Sequence, residues 1–100
     1  MNDPTPAAID AVAAQLKVLA HPTRLRIIQH LHKPASKGQQ SVTEIYQALD
    51  IPQAICSQHL IVLKDRGLLK SNKVGTKIFY AIAAEAWCVQ VVNILFKQIQ

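Results

Sequence analysis

The chain has 100 residues, half of them apolar, and carries 11 Lys and Arg against 6 Asp and Glu for a net charge of +5. That length fits one domain, and the positive balance favours a polyanionic partner, solubility alone being the competing reading. Cys56 and Cys88 are too few for a disulfide scaffold, no basic segment leads into an apolar run at the start, and the apolar stretch near 86–96 is too short to span a bilayer.

Residues 1–6 read as a disordered lead-in, and 7–100 as a single domain. Over 7–20, Ile9, Val12, Leu16 and Leu19 recur at steps of three and four, which predicts an amphipathic helix. His21-Pro22 interrupts it, because a residue before proline is pushed out of the helical region. Pro22 then suits the first turn of a second helix, reaching about Lys33 with Leu25, Ile28 and Leu31 inward. Residues 33–40 (KPASKGQQ) form a loop. Ser41 with Glu44 has capping-box spacing and opens a third helix through Leu49, its apolar positions being Val42, Ile45, Ala48 and Leu49. After the Asp50-Ile51-Pro52 break a fourth helix runs over 53–66 with Cys56, Leu60 and Leu63 on one stripe, closed by Gly67. The period then changes: 68–74 and 77–82 read as two strands around Gly75-Thr76. A last helix occupies about 84–97.

The expected fold is mainly α with a small β-hairpin, in the order α-α-α-α-β-β-α: a helix-turn-helix at 41–66 followed by a wing at 68–82. In such an arrangement the second helix of the pair enters the major groove and the hairpin offers cations to phosphates. With Cys56, Leu60 and Leu63 inward, Ala54, Gln58, Ile61 and Asp65 point outward, with Ser57 at the edge and Gln53 at the helix start. Gln53 and Gln58 suit adenine, while Ala54 or Ile61 suits a thymine methyl. Lys64, Arg66, Lys70, Lys73 and Lys77 stand against Asp65 alone, which places most of the net charge between 64 and 77. Thr76 sits in the wing turn among them. Double-stranded DNA is the expected partner.

These stretches resemble the ArsR/SmtB-type winged-helix repressors: LKVLAHPTRLRIIQHL (16–31), SVTEIYQALDIPQAICSQHLIVLKDRGLL (41–69) and VGTKIFYAI (74–82). Most specific are the HPTRLRII block and the S-x-H-L-x-x-L core formed by Ser57, His59, Leu60 and Leu63. The resemblance implies a homodimer that binds operator DNA and represses until an effector releases it, and it puts His59 in a packing or DNA-proximal role. The fourth helix departs from the family in carrying Pro52, Ala54 and Ile55 where relatives often have Ser, Gln and Thr. The family's cysteine pair in the third helix is absent. So is its Asp-His-His-Glu set along the last helix, which offers only Glu85 and Cys88. No metal site and no cofactor are therefore expected. A redox switch at Cys56 and Cys88 is the alternative to their being core filler, and a protein-interaction module is the alternative to DNA binding.

The last helix is apolar on several faces, more than so small a domain covers by itself. A two-fold dimer through 7–20 and 84–99 is expected, with Ile9, Val12, Leu16, Trp87, Val91, Ile94 and Leu95 at the interface. No paired carboxylate, activated nucleophile or glycine-rich phosphate loop points to an enzyme. Together these readings describe a cytoplasmic DNA-binding regulator without membrane contact, with Arg24 and Arg26 as surface cations that are also available to phosphates.

Overall fold

The computed structural model describes residues 3–83 and 86–99. Five helices and three strands follow in the order α1 (Pro6–Leu19), α2 (Pro22–His32), β1 (Gln40–Ser41), α3 (Val42–Leu49), α4 (Gln53–Asp65), β2 (Leu69–Val74), β3 (Lys77–Ile82) and α5 (Trp87–Ile99). Chain punctuation accounts for most of these boundaries. Thr5 caps α1 by accepting from the Ala8 N–H at 3.1 Å, so the lead-in ends before Pro6, the first helical residue. His21 is extended, and its Nδ1 accepts from the Thr23 N–H at 3.1 Å, which makes it the cap of α2. The Ser41–Glu44 capping box is present in both directions. Asp50 takes a left-handed turn, φ 53°, between α3 and α4. Gly67 (φ 80°) and Gly75 (φ 62°) adopt the conformation that glycine tolerates best, at the end of α4 and in the wing turn.

The core is built where the helices cross. Cys56, Leu60 and Leu63 of α4 are fully buried, as their spacing predicts, together with Ile27, Ile28, Ile45 and Leu68. Leu25, expected inside, is only half-buried, and Ile27 takes the deep position instead. The reason is that α2 packs against α1, α3, α4, α5 and β3, so its buried arc is wider than one stripe. Ala48 is likewise exposed, and Tyr46 packs against the core beside Ile45.

The loop at 33–40 holds more structure than expected. Pro34–Ser36 makes a turn of 3-10 helix, with the Ser36 hydroxyl 2.8 Å from both the Leu31 and the Lys33 carbonyl oxygens. Gln40 and Ser41 then pair antiparallel with Tyr80 and Phe79, so the sheet has three strands in the order β1-β3-β2. A two-residue strand carries no alternation by which sequence could announce it. The hairpin turns at Gly75-Thr76 as expected, and its register sets Val74 opposite Lys77 and Leu69 opposite Ile82. The last helix starts at Trp87; Ala84 and Glu85, placed in it by the sequence reading, lie outside the described residues.

Candidate nucleic-acid interface

At 100° per residue, Ala54, Gln58, Ile61 and Asp65 share the arc of α4 opposite its buried stripe, and all four are exposed. Ile61 is 51% exposed and Ile55, beside this arc, is 45% exposed. Large apolar side chains held in solvent on a helix that also presents Gln58 suit contact with thymine methyl groups. Ile55 was visible in the sequence only as a departure from the family pattern. Gln53, Ser57 and Lys64 fall on a second edge of the helix.

That second edge meets the rest of the molecule. Gln53 and Ser57 line a notch of about 280 Å³ together with Ser41, Val42 and Thr43 from the start of α3 and Thr76, Lys77 and Ile78 from the wing. The capping box engages the N–H groups of Ser41 and Glu44. Those of Val42 and Thr43 have no intrahelical partner at this terminus, and they lie at the positive end of the α3 dipole. The Glu44 carboxyl is held below its usual range by its hydrogen bonds with Ser41 first, and by Lys77 and His30 after that. Lys77 shares the notch with the first turn of α3. Thr43 is the residue that sequence reasoning missed. Its signal was the capping box, which marks a helix start and hence amide donors without an intrahelical partner.

The wing cations do not share one face. Cross-strand partners project to the same side, so Lys70 (opposite Ala81) lies on the face with Val74 and Lys77, while Lys73 (opposite Ile78) lies on the face with Leu69 and Tyr80. Lys73 and Lys77 flank the turn; Lys70 stands at the base of the hairpin, four residues from Val74.

His59 is placed differently from the other candidate residues. It falls beside the buried stripe of α4, not on the outward arc. Its Nδ1 accepts from Arg24 Nε at 3.2 Å, and its ring lies 4.5 Å from that of His21. Burial, then the nearby His21 and Arg24, lowers its pKa, so the accepting neutral imidazole is favoured. Arg24 also donates through Nη1 to the Val18 carbonyl at 3.1 Å. Arg26 donates through Nη2 to the Leu49 carbonyl at the end of α3. Both arginines, read as surface cations, thus tie helices together.

The expected interface residues of α1 and α5 are all on the surface. Ile9, Val12 and Leu16 form one exposed stripe, and Trp87, Val91, Ile94 and Leu95 are exposed along α5, as is Ile99. Cys56 and Cys88 are both fully buried, and burial pushes both thiols up. Nucleophilic sulfur requires thiolate and access, and burial works against both. Among the described residues no three His, Cys, Asp or Glu side chains come together, and no helix is long and apolar enough to cross a membrane.

Comparison with known proteins adds the following. Residues 19–72 match a helix-turn-helix domain family. The chain is 41% identical over 70 residues to the transcriptional repressor PagR of Bacillus anthracis, covering 70% of this chain and 67% of PagR. Across the first curated relatives it matches, the chain spans 53% to 67% of their length. The structure superposes on that of the antimony-specific transcriptional repressor AntR with a TM-score of 0.83 at 30% identity, covering 99% of this chain and 86% of that one. It is also similar to the homodimeric winged helix-turn-helix DNA-binding domain Mb0332 of Mycobacterium bovis, with a TM-score of 0.77 and 29% identity over 99% of this chain and 93% of that one.

Proposed function

Because the chain belongs to the ArsR/SmtB-type family of winged helix-turn-helix repressors, we propose that it is a sequence-specific transcriptional regulator that binds a palindromic operator as a homodimer and represses from it. The observation that carries this reading is the notch. There the start of α3, the first two turns of α4 and the wing turn converge on one recess that combines amide donors, hydroxyls and a lysine, the groups that hold a phosphate.

In this reading the phosphate beside the notch is held by the Val42 and Thr43 amides, the Thr43 and Thr76 hydroxyls and Lys77. That anchor sets the register of α4 in the major groove. Gln58 then reads base edges, Gln53 and Ser57 work at the groove margin, and Ala54 and Ile61 meet thymine methyls. Lys64 and Lys73 add phosphate contacts on either side, and Lys70 adds a weaker, more distant one. His59 does not touch DNA; it positions α4 against α2 through Arg24. The exposed stripes of α1 and α5 cover one another across a two-fold axis, as suits faces too apolar for solvent, and set the two readers about one DNA turn apart. The homodimeric Mb0332 domain supports that assembly.

Selection of bound sequences from a random duplex pool tests the reading as a whole. The expected product is an inverted repeat with half-sites about 10–10.5 base pairs apart, or a multiple of that. Enrichment of an asymmetric site, or of nothing, would overturn it.

A further inference from the structure

A cavity between α1, α2 and α4 belongs neither to the notch nor to the dimer faces. It has a volume of about 470 Å³ and is lined by Ala14, Lys17 and Val18 of α1, Arg24 of α2, Val62 of α4 and Arg66 at the end of α4. Every ionisable side chain in this lining is a cation. Lys17 and Arg66 are exposed, while Arg24 is half-buried and already oriented by its bonds to His59 and Val18. Those two bonds engage two of the five guanidinium N–H donors, and the others remain for a ligand. Three cations around one recess repel one another until an anion enters. A guanidinium fixed in direction loses little freedom on meeting a planar or tetrahedral oxyanion.

Position separates this cavity from the DNA reader. On α4 the notch is lined by Gln53 and Ser57 and the cavity by Val62 and Arg66, so the two are centred about 13 Å apart along the helix at 1.5 Å of rise per residue. By helical phase Ala14 and Val18 lie on the side of α1 opposite Ile9, Val12 and Leu16, so dimerisation leaves the cavity open. Its walls belong to α1, which carries a dimer face, and to α4, which reads DNA.

We propose that this cavity binds a small free oxyanion of the phosphate class, bridging Lys17 and Arg66 against Arg24 and thereby setting the placement of α4 relative to the dimer helix α1. The coupling half rests on the DNA-binding reading of α4; the binding half does not.

Amide NMR spectra of the full chain, titrated with inorganic pyrophosphate at constant ionic strength, test the binding. Saturable shifts centred on Lys17, Arg24 and Arg66 are expected, with affinity falling at least about tenfold, or ~1.4 kcal/mol, in the K17A/R66A double variant. Both replaced side chains are exposed, so the variant's spectrum should otherwise keep its dispersion. Shifts that do not saturate, or equal affinity in the variant, would overturn the site. Fluorescence anisotropy with DNA, with and without pyrophosphate, tests the coupling. A change of about fivefold or more in DNA affinity that vanishes in K17A/R66A supports it, and unchanged affinity overturns it. Absence of any DNA binding would instead refute the reading of α4 while leaving the anion site standing. Finally, K17A/R66A should leave the salt dependence of DNA binding as it is. A slope reduced by about 1.8, at 0.9 per phosphate contact, would give the cavity to a DNA phosphate and overturn the free-anion assignment.

Discussion

Removing the two cations that flank the wing turn should change how DNA binding responds to salt, and removing the one at the wing base should not. Lys73 and Lys77 lie next to Gly75-Thr76, and Lys77 also lines the notch with Thr43 and Gln53. Lys70 is four residues back from Val74, about 13 Å at the usual strand rise of 3.3 Å per residue. Each neutralised phosphate contributes about 0.9 to the slope of log K against log salt. Lys73→Ala combined with Lys77→Ala should therefore flatten the slope by about 1.8 in each protomer's half-site, whereas Lys70→Ala should shift it by well under 0.9. Between about 50 and 200 mM salt, a fourfold range, each lost contact removes roughly a 3.5-fold dependence. The double variant should lose about 12-fold of the wild-type sensitivity per half-site. Anisotropy titrations of a fluorescent duplex over that range measure it directly. An unchanged slope in the double variant, or a loss in Lys70→Ala as large as that of either tip lysine, would refute the assignment of the turn to the phosphate backbone.

On the reader helix, Gln58→Ala should weaken operator binding by about 1–3 kcal/mol, as for a bidentate base contact, and Ser57→Ala and Gln53→Ala by smaller amounts. Mobility shifts with operator and scrambled duplexes separate loss of specificity from loss of affinity. Fully burying an isoleucine is worth about 1.5–3 kcal/mol, and Ile94 is 58% exposed. With the residue present twice across the two-fold axis, Ile94→Ser should weaken the dimer by roughly 20- to 400-fold; light scattering over a concentration series would show it, and a monomeric wild type would disprove the interface. Peroxide and dithiothreitol should give the same DNA affinity, since both thiols are buried and pushed up. A reversible difference would revive the redox reading. His59 has a lowered pKa, so the unfolded chain takes up its proton first as pH falls. The stability it contributes is present above about pH 6.5 and is lost as pH falls through the depressed folded value. His59→Gln should flatten melting temperature against pH across that window, and an unaltered profile would show that the Arg24–His59 contact does not set it.

Features written in neighbouring residues were the legible ones. Ser41 with Glu44, Pro22 after His21, Gly67 and Gly75 each fixed a boundary by local chemistry, and Cys56, Leu60 and Leu63 announced the buried side of α4. What escaped depends on contacts between distant segments. His59 meets Arg24 and His21 across more than thirty residues, and no spacing on α4 could show those partners; the resemblance left its role open between packing and proximity to DNA. Thr43 joins Gln53 and Lys77 only once α3, α4 and the wing are assembled. The division of the wing lysines between two faces needs the hairpin register, and a net charge over 64–77 contains no register.

The pairing of β1 with β3 carries a mechanical consequence. Ser41 faces Phe79 in the sheet and, in the same place, caps α3, while Arg26 holds the other end of α3 to α2. The wing strand and the helix at the notch are thus riveted at one residue and cannot swing independently. On the proposed reading, each protomer would meet DNA as one block whose internal angles are set when it folds. A signal that released DNA would then have little to bend inside the block; it would act on the packing of α1 and α5 against α2, where a small rotation would change the distance between two readers that must both fit one double helix.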